Sequence, residues 1–300
     1  EDEELLKILS NKKISWIRFS SETFFLKKIA EGCSYIDTEF SVLSADDDFL
    51  IPTGIEECRI FLKENLDFSS AQGLSYLHFK SSFLKSKLRV ENLYQETAYA
   101  LDDSSSLDRL TKYLTGESKN YPFYAVHRSK DFLKIWTYAR QYADHQGLSE
   151  ILPCCLSLVL GKMKVMDNFY NFREPNDFSN WEDQKTLDKV YSQERVSKAL
   201  YGLTNFIVHE TNQKQGKVEQ VCKHLFDLYL STMHEKQKFL QIKSKSSKSW
   251  TARLKEIVRI RSRLREVLAI LLYEGSNYQI SKNYLSDFKK AEKMILDSNV

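Results

Sequence analysis

Four prolines and nine glycines in 300 residues constrain this chain more than any motif it carries. Average usage gives roughly 15 Pro and 21 Gly at this length. All-β folds need a Gly- or Pro-bearing turn roughly every 8–12 residues. So few breakers predict a mainly helical protein. Apolar residues at 42% and charged residues at 28% suit a globular chain large enough to bury a proper core.

Apolar periodicity gives the same reading. Ile55, Cys58 and Leu62 share one face of a helix over Ile55–Leu66. Ser69–Leu101 is compatible with two further helices. Asp102–Ser106 breaks the pattern and supplies capping residues for Leu107–Leu114. Phe132, Trp136, Ala139 and Ala143 form one stripe of a helix over Ser129–His145, which Gly147 should end. Ser149–Met166 is apolar almost all round, as a helix buried on most sides would be, with Pro153 in its first turn. Ser15–Glu31 reads as a helix stopped by a left-handed Gly32. Val196, Leu200, Leu203 and Ile207 are in phase on another. Ser179 and Glu182 form a capping box ahead of a helix reaching Gln193. Gln215–Ile242, Trp250–Tyr273 and Gln279–Leu296 complete the series, with one short strand near Phe40–Leu43.

The expected fold is therefore all-α: an irregular multi-helix bundle or a degenerate α-solenoid of roughly a dozen helices. Residues 1–120 form an N-terminal helical region with a loop-rich segment near 35–54. Residues 121–300 form a C-terminal helical region. The best linker candidate is Thr115–Pro122, yet the two regions read as one continuous helical unit.

Five cysteines, Cys33, Cys58, Cys154, Cys155 and Cys222, show no C-x-x-C spacing. They read as buried free thiols of a reducing compartment, nucleus or cytoplasm. No run of 18 apolar residues predicts a membrane span. Neither an initiator Met nor a signal peptide is present, so 1–300 is expected to be part of a longer chain.

The chemical signatures are missing. His209-Glu210 and His234-Glu235 lack the second histidine of H-E-x-x-H, because Gln213 and Lys238 stand there. Gly161-Lys162 lacks the upstream glycine of a P-loop, position 156 being Leu. No catalytic, metal or cofactor residue is assigned. Arg140 and His145 form R-x4-H, with Gln141 in the polar position after the Arg. This spacing resembles the short signature of HEPN-type helical ribonucleases, which would imply RNA phosphodiester cleavage by that pair. Five residues of regular helix turn through about 500°, leaving the two side chains about 140° apart. They meet only where the helix end distorts before Gly147.

Charge is distributed unevenly. Eleven Lys and Arg and one carboxylate, Glu256, fall in residues 236–265, giving +10 there. The whole chain carries +3, which leaves −7 for the remaining 270 residues. Lys255, Arg259 and Arg263 line one side of the expected Trp250–Tyr273 helix, flanked by Arg261 and Arg265. Lys243, Lys245 and Lys248 lie on a serine-rich tether before it. Like charges at i, i+4 repel, so the ridge suggests an anionic counterpart. These eight residues are the candidate binding site.

The function expected is a non-enzymatic helical scaffold or adaptor in an intracellular, nuclear or cytoplasmic, complex. Its partners are other protein subunits with an acidic surface or segment, and no membrane is involved. DNA or RNA binding by residues 243–265 is the first alternative, though +3 is low for a dedicated nucleic-acid binder. A HEPN-like ribonuclease is the second.

Overall fold

The computed structural model describes residues 10, 14–80, 88–93, 100–117, 122–173, 191–248 and 285–297. It corrects the all-α expectation: the chain is a mixed α/β protein built around a curled sheet. The helices are α1 (Phe25–Gly32), α2 (Pro52–Glu64), α3 (Ser106–Leu114), α4 (Ser129–Tyr142), α5 (Gln146–Leu160), α6 (Gln193–Thr211), α7 (Gln215–Lys248) and α8 (Leu285–Asp297). The strands are β1 (Phe40–Ser41), β2 (Asp48–Leu50), β3 (Phe68–Lys80), β4 (Leu88–Leu93), β5 (Val126–Arg128) and β6 (Lys162–Arg173).

The sheet runs β1-β5-β3-β6-β2, with β4 paired to β3 off that path. Its spine is the parallel pair β3–β6, in register from Phe68↔Lys162 to Leu77↔Arg173 across three irregularities. The other edge of β3 pairs antiparallel with β5 at Ser70 and Ala71, then with β4 from Ser75 to Lys80. Two long strands joined by helical crossovers need few tight turns. Scarce Gly and Pro are thus compatible with a sheet, which is why the breaker argument fails here.

The start of β3, Ser69–Gly73, is buried throughout. At Gly73 a Cβ would lie 2.6 Å from Tyr170 Cβ of β6. α2 packs so close to β6 that a Cβ on Gly54 would lie 2.2 Å from the Phe169 carbonyl oxygen. On α5, the Ser157 carbonyl accepts a hydrogen bond from Ser69 Oγ at 3.0 Å. The segment 69–101, expected to be helical, therefore contains β3 and β4.

The expected helix over Ser149–Met166 ends at Leu160, and β6 takes the rest. Gly161 marks the change; a Cβ there would meet the Ser69 backbone nitrogen at 2.7 Å. Pro153 sits inside α5 rather than in its first turn, and Gly147 lies within α5 instead of ending α4. A proline in a helix interior costs about 3 kcal/mol. Burial of Leu152, Cys154, Cys155, Leu156 and Leu158 offsets it.

Elsewhere the periodicity survives. Cys58 and Leu62 of α2 are buried, as are Phe132, Trp136, Ala139 and Ala143 at α4 and Leu203 and Ile207 on α6. Ser105 caps α3, its Oγ accepting from the Asp108 amide at 3.4 Å. Three boundaries move. Residues 14–20 are not helical, and α1 begins at Phe25. Gly32 is right-handed, φ −58°. α7 continues through Lys248, across the expected tether.

One large apolar core joins Leu26, Leu110, Trp136, Leu152, Leu203 and Phe226. A second gathers Ala71, Val126 and Tyr170 with Cys58 and Leu62 of α2. A third, around Ile51, Tyr76, Phe169 and Phe172, is covered by Ala291 of α8. Buried Arg109 ties α3 to the end of α5 and to the loop that precedes α3. Its Nε donates to the Leu158 carbonyl at 2.8 Å, one Nη to the Asp103 and Ser104 carbonyls, and the other to Val159. It thereby satisfies carbonyls that the end of α5 leaves open.

Candidate interaction surface

The sequence-derived basic residues divide between described and undescribed parts of the chain. Lys243, Lys245 and Lys248 lie on the last two turns of α7. Lys255, Arg259, Arg261, Arg263 and Arg265 fall outside the described residues, as do the expected Trp250–Tyr273 helix and the Ser179–Glu182 capping box.

Arg140 and His145 do not share a helix. Arg140 is exposed on the last turn of α4, while His145 is the N-cap residue of α5. Burial lowers the His145 pKa first, with the Arg195 charge adding and Asp144 opposing. Asp144 in turn pairs with Arg195 at 3.4 Å and Lys198 at 3.8 Å.

All five cysteines are free and buried. Desolvation pushes the thiols of Cys33, Cys58 and Cys154 up to about 12 and that of Cys222 to about 11. A nucleophile or metal ligand needs the thiolate, so these are core side chains. Among the described residues, no group of three or more His, Cys, Asp or Glu could hold a metal ion, and no helix is long and apolar enough to cross a membrane.

His127 is the buried polar centre of the sheet–helix junction. Its Nε2 lies 2.8 Å from the Pro122 carbonyl, which can only accept, so Nε2 carries the proton. Nδ1 then faces Ser157 Oγ at 3.5 Å, itself 3.4 Å from Ser70 Oγ. Burial holds the imidazole down at about 4, against the Pro122 bond, which favours its charged form. The unfolded chain binds this proton near 6.5. The contribution is therefore fully present above about pH 6.5 and is lost as pH falls toward 4. It amounts to about 2.5 kcal/mol between pH 7 and 4.5. Burial acts with the opposite sign on the carboxylates, raising Asp48, Asp131 and Glu150. The wild type should thus lose about 2.5 kcal/mol more than His127→Gln over that range. Urea midpoints at the two pH values measure it, and parallel losses would contradict it.

The outer face of α4 and α6 presents a chain of aromatic rings from core to solvent. Buried Phe206 lies 4.9 Å from Tyr138, Tyr138 4.9 Å from Tyr142, and Tyr142 6.2 Å from Tyr201. Tyr201 is 60% exposed. Tyr138 and Tyr142 stand at i, i+4 on α4 and so share a face. Gly202 lets Tyr142 lie against α6, since a Cβ would sit 2.4 Å from Tyr142 Cγ. The Tyr138 hydroxyl donates to the Gly202 carbonyl at 2.9 Å. Its pKa is raised, chiefly by burial and then by Tyr142. Lys134 flanks the ladder, 2.7 Å from Glu210 and over the Phe206 ring at 5.5 Å.

Sequence reasoning missed these tyrosines. The available signal was Tyr138 and Tyr142 lying off the Phe132–Trp136–Ala139 stripe. Between α3 and the α6–α7 turn, an open groove of about 650 Å³ is lined by Asp108, Thr111, Lys214 and Lys217 among others. Its mixed charge selects no ligand class. No known family model matches this chain, and none of the curated proteins is detectably similar to it.

Proposed function

We propose that this chain is a non-enzymatic adaptor, a protein-binding subunit of an intracellular assembly, working from an α/β core. The observation that carries this reading is the tyrosine ladder ending in exposed Tyr201. Tyrosine offers large contact area at low entropic cost and is enriched where interfaces concentrate their energy. Tyr142 lies against Tyr201 where α4 and α6 pack, which reduces the ordering left to be done on binding. The partner is another protein subunit, with an acidic segment to meet the cations of residues 243–265. Five free buried thiols support a reducing compartment, nucleus or cytoplasm.

Tyr201→Glu in the full chain tests this, because an exposed position should leave the fold intact. Quantitative affinity isolation from native extract should show a defined partner set weakened by about 2 kcal/mol, roughly 30-fold. An unchanged set would refute the reading. So would retention only of nucleic acid with a steep salt dependence, the mark of phosphate contacts through the basic stretch.

A further inference from the structure

Charged side chains from β2, β6 and α5 converge at the carboxyl end of β6, beside Tyr124. Asp48 and Arg173 are register partners, and Arg173 Nε lies 3.0 Å and 3.3 Å from the two Asp48 oxygens. The Arg173 guanidinium stacks over the Tyr124 ring, 4.8 Å from its centroid. Asp48 and Tyr124 thus hold Arg173 by its Nε and by one face. Its Nη edge makes no hydrogen bond among the described residues. Asn171, 1% exposed, also hydrogen-bonds Asp48. A carboxylate only accepts, so Asn171 Nδ2 is the donor, and its buried Oδ1 has no partner among the described residues. Half-buried Glu150 of α5 makes neither hydrogen bond nor ion pair among the described residues. It still feels Arg173, since burial raises its pKa and the Arg173 charge opposes that rise.

Asp48 neutralises Arg173, which leaves the Glu150 carboxylate unbalanced. A half-buried carboxylate and a buried carbonyl oxygen without donors both cost the folded protein, and native structures keep few of either. The chemistry these open groups require is specific. Glu150 and Asn171 Oδ1 need N–H donors. The Nη edge of Arg173, fixed by its stack, matches the two oxygens of a carboxylate. We propose that this cluster is a binding site for a free α-amino acid, its carboxylate held by Arg173 and its ammonium by Glu150 and Asn171 Oδ1. A simple amine leaves the Arg173 edge unused, and a simple carboxylate meets repulsion from Glu150. A zwitterion satisfies all of them at once. The site shares no residue with the tyrosine ladder, and its test does not depend on that reading.

The probes are the twenty L-amino acids, each titrated calorimetrically into the full chain. At least one should bind with a Kd below about 1 mM. Its N-acetyl and its carboxamide derivatives should each bind roughly tenfold more weakly or worse, because each loses one charge-assisted contact. Glu150→Gln should weaken the same ligand by about tenfold or more, yet leave the thermal midpoint equal or higher, because it removes an unpaired, half-buried charge. A purely structural carboxylate would not give that pair of results. Arg173→Lys keeps the charge beside Asp48 but loses the fork, and should weaken the ligand likewise. No binding by any of the twenty would overturn the proposal, as would undiminished binding of either blocked derivative or by either variant. A Glu150→Gln chain that melts lower or fails to fold would overturn it too, by showing that Glu150 is engaged within the fold.

Discussion

Gly73→Ala is expected to destabilise the protein by about 3 kcal/mol or more, at the upper end of overpacking costs. The new Cβ would stand 1.7 Å from Asn168 Oδ1, 2.6 Å from Tyr170 Cβ and 2.8 Å from the Asn168 carbonyl oxygen. Two of these atoms belong to the backbone or the first side-chain carbon of β6 and cannot swing aside. The third belongs to Asn168, whose Nδ2 donates to Glu57 Oε2 at 2.8 Å and to the Gly54 carbonyl at 3.3 Å. Moving Asn168 therefore also loosens α2 from the sheet. Gly54→Ala attacks the same junction from the helix side. Gly32→Ala and Gly216→Ala are the controls, because an added Cβ there meets nothing within 4 Å. Chemical denaturation of the four variants should separate them into two severe losses and two near-neutral changes. A near-neutral Gly73→Ala would mean that β3 and β6 do not pack as described.

Arg109→Met should cost about 3 kcal/mol, because it leaves buried main-chain carbonyls without their charged donor. Methionine keeps the stem but leaves the Leu158 and Val159 carbonyls without their donor inside the core. Burial already lowers the Arg109 pKa, against the pull of Asp103 and Asp108, so this guanidinium is held by hydrogen bonds rather than by water. Arg109→Lys should recover only part of the loss, since a single ammonium cannot span four carbonyls on two segments. Thermal unfolding compares the three chains, and a loss below about 1 kcal/mol for Arg109→Met would contradict the network.

These two sites explain what the sequence left unread. The amphipathic stripes of α2, α4 and α6 were legible because each buries one face and repeats apolar residues at helical spacing. β3 was not. Its buried stretch Ser69–Gly73 carries no large apolar side chain, and at Gly73 the close neighbours are Asn168 and Tyr170 of β6. The switch from α5 to β6 was hidden for a related reason. Helix and strand are both buried there, so the apolar run gives no period by which to tell them apart. The scarcity of Gly and Pro then misled, because glycines at 54, 73 and 161 serve close packing instead of turns. Among candidate sites, Tyr138 and Tyr142 stood in view off the core stripe. Their partnership with Tyr201 depends on the α4–α6 approach at Gly202, which no local pattern encodes. The basic stretch was easy to see, but five of its eight candidate residues lie outside the described residues.

The account depends most on the parallel pairing of β3 with β6, the spine of the sheet on which α2 and α5 pack. Cross-strand NOEs in an isotopically labelled sample test it directly. The predicted result is backbone contact between Ala71 and Lys164 and between Leu77 and Arg173, in a parallel pattern. Helical sequential contacts through Ser69–Lys80, or β3 paired antiparallel to β6, would contradict it.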